Sequence, residues 1–183
     1  FVATNWSLGV VPQRCQNVVI AGSNGTVVTI PSAQAGEARS VLVQAGKSLI
    51  IQNTGSLTIN NGLNLINSGT VTNNGTLSIN NILDNALFGI TNSGTITNSS
   101  SGSITIQNSG IRSLSNNTGG ILTNTGSLTI DGNSIGAVST GIYNAGNTMN
   151  SGQVTVRNIT GNEVIIAPGS TFNNQVNGVL NLE

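Results

Sequence analysis

The stretch Asn-Thr-Gly-Ser-Leu-Thr-Ile at residues 53–59 is the unit from which most of this chain is built. The same seven residues return unchanged at 124–130, and Asn-Asn-Gly-Thr-Leu-Ser-Ile at 73–79 follows the same pattern. A short repeat can bury its apolar side only by stacking on its neighbours. An internal repeat is therefore the strongest indication of the overall architecture in this sequence. Further copies begin at Asn67, Asn92, Ser100 and Asn150.

Side chains alternate between two faces along each copy of the unit. Leu57 and Ile59 fall on one face, and Ser56 and Thr58 fall on the other, since successive side chains of a strand point in opposite directions. Burying one such aliphatic side chain contributes about 1.5–3 kcal/mol, which is close to the entropy cost of ordering one or two residues. Stability must therefore come from stacking. The predicted inward set is Leu57, Ile59, Val71, Leu77, Ile79, Ile96, Ile104, Leu128, Ile130, Val154 and Val156.

The glycines of the unit recur at unequal intervals of six to 26 residues. Intervals of six to eight residues match one strand with one turn, and intervals of 19 to 26 match a circuit of two or three strands. This spacing predicts an all-β fold, a single-stranded parallel β-helix or β-solenoid. Coils stacked about 4.8 Å apart would let equivalent Asn side chains bond to one another along the axis. Examples of turn asparagines two positions before a glycine are Asn53, Asn67, Asn92, Asn124 and Asn150.

Two regions of the chain are predicted. Residues 1–40 lack the repeat and are interpreted as an N-terminal capping segment, because the first coil of a solenoid would otherwise expose an adhesive edge. Within them, the apolar stretches 17–20 and 26–30 flank Asn24-Gly25 and predict a β-hairpin. Residues 41–183 are predicted to form the β-helix body, which we expect to continue beyond this segment.

The composition is poor in charge and has no strongly reactive group. Five Lys or Arg balance five Asp or Glu, and there is no His. Nucleic acids and anionic membranes are captured by clustered basic residues, so neither is an expected partner. No stretch approaches the 18 apolar residues of a membrane span, so membrane insertion is not expected. Cys15, the only cysteine, cannot form an internal disulfide and is predicted to be a small buried residue.

A family resemblance rests on several stretches of the sequence. The opening residues 5–12, with 17–20 and 26–31, resemble the start of secreted surface proteins from Bacteroidetes-type bacteria. Residues 45–59 resemble their continuation into a β-helix, and the Asn-Ser-Gly-Thr-Ile-Thr repeats are similar to those of autotransporter and haemagglutinin-type adhesins. The resemblance implies a right-handed parallel β-helix, exported and displayed outside the cell or on its surface.

The same resemblance implies that the protein binds to other surfaces or supports a domain that does. It implies a stalk, an adhesin or a carbohydrate-contacting region, with a surface glycan or a protein of a host or neighbouring cell as partner. Further domains of the same polypeptide would take part. The resemblance assigns no catalytic residue to this chain.

The residues themselves favour a protein that is not an enzyme. A carbohydrate-active β-helix of the pectin-lyase-like kind is the alternative, and such enzymes need paired carboxylates or a metal with a basic residue. The acids are dispersed, and no His or Cys cluster offers metal ligands, so no metal and no cofactor are predicted. The five acids are Glu37, Asp84, Asp131, Glu163 and Glu183, and of these Asp84 and Asp131 are predicted to be turn or surface residues.

Outward threonines supply a second alternative. Thr-X-Thr rows serve ice-binding solenoids, and this chain has them at 70–72 and 95–97. The irregular spacing of the repeats counts against lattice matching, and Thr is also a favoured strand residue for structural reasons. The candidate exposed face comprises Thr58, Thr72, Thr97, Thr105, Thr129 and Thr155.

Overall fold

A computed structural model describes residues 12–60, 63–80, 88–132 and 140–183. Within these residues the regular secondary structure consists of β-strands, with no helix. Twenty-one strands form three parallel sheets of seven strands each, here called sheets A, B and C. The all-β prediction and the parallel β-solenoid are confirmed.

Each coil of the solenoid contributes one strand to every sheet in the order A, B, C. Sheet A contains β1 (Asn17–Ile20), β4 (Ser40–Val43), β7 (Leu65–Asn67), β10 (Phe88–Asn92), β13 (Arg112–Asn116), β16 (Thr140–Asn144) and β19 (Asn162–Ile166). Sheet B contains β2 (Val27–Ile30), β5 (Ser48–Ile51), β8 (Thr70–Asn73), β11 (Thr95–Asn98), β14 (Ile121–Asn124), β17 (Asn147–Asn150) and β20 (Thr171–Asn174). Sheet C contains β3 (Ala35–Ala38), β6 (Ser56–Asn60), β9 (Thr76–Asn80), β12 (Ser103–Gln107), β15 (Ser127–Asp131), β18 (Gln153–Arg157) and β21 (Val179–Leu182).

Unequal coil lengths do not disturb the register of the sheets. Along sheet A, Leu114 pairs with Ile142, 28 positions later, whereas Ile142 pairs with Val164, 22 positions later. The connections between strands differ in length, from two to six residues between sheets A and B and from one to eight between sheets C and A. Repeats that look irregular along the chain are therefore aligned in space. The right-handed sense of the coil stays a prediction that agrees with the general preference of parallel crossovers.

The core is a stack of aliphatic side chains along the solenoid axis. All eleven residues of the predicted inward set are buried. One column of sheet C shows the principle, because Leu77, Ile104 and Leu128 occupy the same position in three successive coils. The column runs from Leu57 in the second coil to Val154 in the sixth, and each of these aliphatic side chains is covered by the next coil.

The predicted hairpin near the amino terminus is wrong. Strand β1 pairs in parallel with β4 of sheet A, and β2 pairs in parallel with β5 of sheet B. Gly25 does have a positive φ of 80°, but the turn directs the chain around a corner of the solenoid. The first coil therefore begins at Asn17, earlier than the predicted body. The capping role of residues 1–40 stays a prediction, and residues 1–11 lie outside the described part of the chain.

The glycines of the repeat are required by close packing of the backbone. Gly94 does not have a positive φ, and a Cβ placed on it would overlap the carbonyl oxygen of Gly69 in the preceding coil. Gly152 stands in the same relation to Gly126. Stacked corners thus approach too closely for any side chain. The repeat requires glycine at these positions for space and not for a positive φ.

Candidate functional site

The outer surface of sheet C carries two columns of hydroxyl side chains. They alternate with the buried Leu and Ile of the same strands, so they point outward on the pleat. Each of five successive coils supplies one residue to each column, and nine of the ten positions are Ser or Thr. One column is Ser56, Thr76, Ser103, Ser127 and Gln153, and the other is Thr58, Ser78, Thr105, Thr129 and Thr155. We call these ten residues the hydroxyl face.

The six threonines predicted to share one face are divided between two sheets. Four belong to the hydroxyl face, whereas Thr72 and Thr97 pair with each other on sheet B. The column on sheet B continues to Thr123 and is interrupted by Ile50 on one side and Met149 on the other. The single-face interpretation is therefore wrong for Thr72 and Thr97. The threonines that the structure unites are Thr58, Thr105, Thr129 and Thr155.

Regular spacing and absence of charge distinguish the hydroxyl face. Adjacent strands of a sheet lie about 4.8 Å apart, and alternate residues of one strand lie about 6.6 Å apart. None of its ten residues is charged or aromatic. Their side-chain hydroxyls take no part in the side-chain hydrogen bonds found among the described residues. Thr58, Thr105 and Thr129 are half-buried by their neighbours, which together with the branched Cβ restricts their χ1 rotation.

Two ladders of asparagines, all buried except the exposed Asn174, hold the coils that carry this face. In one, Nδ2 of Asn67 donates to Oδ1 of Asn92 at 2.8 Å, and the series continues through Asn116 to Asn144. The other ladder runs along the corner between sheets B and C. Its members, each joined to the next at 2.7–2.8 Å, are Asn73, Asn98, Asn124, Asn150 and Asn174.

These ladders fix the geometry of the corners as well as their stacking. Asn67 Oδ1 accepts from the amide of Gly69, two positions later, and Asn67 Nδ2 also donates to the carbonyl of Thr95 in the next coil. The predicted ladder is confirmed for Asn67, Asn92, Asn124 and Asn150, which belong to two series. Asn53 is exposed and belongs to neither.

Acidic residues do not form a paired site in the described structure. Asp131 is buried, and its Oδ2 accepts from Nε of Arg157 at 2.9 Å while its Oδ1 accepts from Asn158. Our expectation of a solvated Asp131 is wrong. Asp84 lies outside the described residues. Among those residues, no three His, Cys, Asp or Glu side chains are grouped so that they could hold a metal ion.

A third feature is a cluster of aromatic and basic side chains on sheet A. The guanidinium carbon of Arg112 lies 3.7 Å from the centroid of the Tyr143 ring and 5.6 Å from that of Phe88. The three residues come from successive strands, β10, β13 and β16. Sequence reasoning missed this cluster because the three are far apart along the chain. Phe172, by contrast, packs against the core.

The remaining reactive side chain is Cys15, and it is exposed. The prediction that it is a small buried residue is wrong, because it lies in a turn ahead of β1 rather than on an inward strand position.

Comparison with known protein families, with curated proteins and with solved structures finds no match to this chain. Among the described residues there is no helix with the length and apolar character needed to cross a membrane.

Proposed function

We propose that this chain is a structural and adhesive module of a larger bacterial protein, displayed at the cell surface or secreted. The observation that carries the proposal is the unbroken register of three sheets through seven coils. Six stacking steps of about 4.8 Å give a rod about 30 Å long. A rod of this kind extends a binding tip or offers a long repetitive face without requiring a pocket.

Bonding between successive coils in the rod supports the structural role. Every coil is bonded to the next by three parallel strand ladders, and two asparagine ladders add side-chain bonds in the same direction. Because such contacts are made only between neighbouring coils, stability grows with each coil that is added. A nearly neutral surface also limits nonspecific electrostatic attraction to nucleic acid.

The adhesive role is tested by display on a non-adherent bacterium. The chain is fused to a membrane anchor, and cells are washed under flow over surfaces coated with glycans, extracellular proteins or other cells. We expect retention on at least one surface above that of the anchor alone. A Leu128→Asp variant displayed in equal amount should lose it, because Leu128 is buried. Equal retention of cells with and without the chain on every surface would refute the adhesive role.

The structural role is tested by single-molecule distance measurement between dyes at the two ends of the rod. A stacked solenoid predicts one narrow distance distribution. A broad distribution, as for a flexible linker, would refute the rod.

Catalysis is tested separately by incubating the purified chain with pectins, alginates and glycosaminoglycans. Turnover that is lost in Asp131→Asn or Glu163→Gln would overturn the non-enzymatic assignment.

A second candidate function is carbohydrate binding on sheet A, favoured by the cluster of Phe88, Arg112 and Tyr143. Aromatic rings and a guanidinium group together offer apolar surface and hydrogen-bond donors to a sugar. Under this candidate, Tyr143→Ala should weaken glycan binding at least tenfold. Thr91→Ala, two coils away in the same outward column, should leave it unchanged. Binding that is equal in the two variants would refute the candidate.

A further inference from the structure

We infer that the hydroxyl face of sheet C binds ice. This inference goes beyond the proposed function, since it assigns a ligand to one face of the rod and requires no other domain. It rests on the register of five successive strands, β6, β9, β12, β15 and β18, which unequal coil lengths do not disturb. The repeats are irregularly spaced along the sequence, but their strands are aligned on the folded surface.

The spacing of the face is that of a lattice in two directions. Hydroxyl groups recur at about 4.8 Å along the solenoid axis and at about 6.6 Å along each strand. An ice surface is likewise a two-dimensional lattice of groups that donate and accept hydrogen bonds. Each Ser or Thr hydroxyl donates one hydrogen bond and accepts others, as a water molecule does. The inference is that the face orders a layer of water that an ice surface continues.

The rigid backbone beneath the hydroxyl face makes the ordering of water on it effective. Asn98 and Asn124, in the ladder beside the face, are fully buried and joined at 2.8 Å. Asn98 Nδ2 also donates to the carbonyl of Ser127, a residue of the face itself, at 2.9 Å. The backbone under the hydroxyl groups is thus held by side chains of the neighbouring coil. Little conformational freedom remains to be lost when water is ordered on it.

The chemistry of the face argues against other occupants. Protein-binding surfaces are enriched in aromatic residues and Arg, and the face has neither. Small molecules bind in concave sites, and the face follows a sheet surface. Anionic polymers require clustered basic residues, whereas the one basic residue beside the face, Arg157, is single and paired with Asp131. A flat, uncharged ligand with periodic hydrogen-bonding groups remains, and ice meets each condition.

The test compares two double variants in the same two coils. Thr105→Tyr with Thr129→Tyr places bulky rings on the hydroxyl face. Thr97→Tyr with Thr123→Tyr places them on sheet B, where these residues are aligned in the same way and are also half-buried. Each purified chain is included in slowly growing ice, and its concentration in ice and in remaining liquid is measured. Thermal hysteresis and circular dichroism are recorded on the same samples.

We expect the parent chain and the sheet B variant to enter the ice, and the hydroxyl-face variant to enter at least tenfold less. If the latter fails to fold, Thr129→Lys serves in its place, since a long charged side chain is tolerated on an outward strand position. Exclusion of the parent chain from ice would overturn the inference. Equal ice entry by both folded double variants would also overturn it. Binding to microcrystalline cellulose or chitin without entry into ice would overturn it in favour of a polysaccharide lattice.

Discussion

Replacing Asn98 with alanine should destabilise the protein far more than replacing Asn53, although Asn53 lies in a turn of the repeat and Asn98 directly precedes one. Asn98 is fully buried, and its amide joins Asn73 on one side and Asn124 on the other, each at 2.8 Å. Its removal leaves Oδ1 of Asn124 without this donor and Nδ2 of Asn73 without this acceptor. Asn53 is exposed and lies outside both ladders.

The expected cost follows from the two partners left behind. A buried polar group without a partner costs about 1–3 kcal/mol, and Asn73 Nδ2 keeps its bond to the carbonyl of Ser103 at 3.0 Å. Asn98→Ala should therefore lower the free energy of unfolding by about 2–4 kcal/mol. Asn53→Ala should change it by less than about 0.5 kcal/mol, as for ordinary surface substitutions.

The measurement is equilibrium unfolding in guanidinium chloride followed by far-ultraviolet circular dichroism. Amide hydrogen exchange is recorded in parallel, since a repeat protein can open locally before it unfolds globally. Exchange in Asn98→Ala should accelerate first in the coils on either side of the substitution. Equal destabilisation by the two variants, or a loss below about 0.5 kcal/mol for Asn98→Ala, would refute a stabilising role for the ladder.

Three further predictions concern the core, the corners and the first coil. Leu128→Ala should cost about 2–5 kcal/mol in the same unfolding experiment, and Thr129→Ala should cost less than half as much; equal losses would contradict the strand parity. Gly94→Ala should lower the melting temperature more than Gly119→Ala. A Cβ at Gly94 would overlap the backbone, whereas a Cβ at Gly119 would enter open space and alanine would be strained there only by the positive φ. The reverse order of melting temperatures would refute the steric explanation. Deleting residues 1–40 should cause aggregation visible by light scattering, since it exposes the next strand edges, and a soluble monomer with an unchanged melting transition would show that this segment is dispensable.

Strand parity was predictable because it depends on adjacent residues alone. Leu57 and Ile59 must share a face in any strand that contains both, whatever that strand pairs with. The buried layer could be read from the sequence for this reason. The asparagine ladders were predictable in kind, since stacked amides are a general feature of closely spaced parallel strands. Their division into two series was not, because nothing local says at which corner an Asn lies.

The mistaken predictions have a common physical origin in contacts between distant residues. Asn24-Gly25 has the turn chemistry of a hairpin, and the same backbone conformation also turns a solenoid corner. Pairing of β1 with β4, 23 positions later, decides between the two outcomes. The burial of Asp131 likewise depends on Arg157 and Asn158 in the following coil. A local pattern cannot contain such information.

By itself, the sequence determined that this protein is a stacked β-structure with an aliphatic interior, because short alternating strands separated by glycine turns have no other way to bury their apolar side. Only the tertiary structure decided which repeats lie above one another. Hydrogen bonding between strands sets that alignment, and connections of unequal length between the strands do not disturb it. The same alignment joins Thr105 and Thr129 into one face and leaves Thr97 on another. The candidate ice-binding surface is therefore a property of the register, which the chain acquires only when it folds.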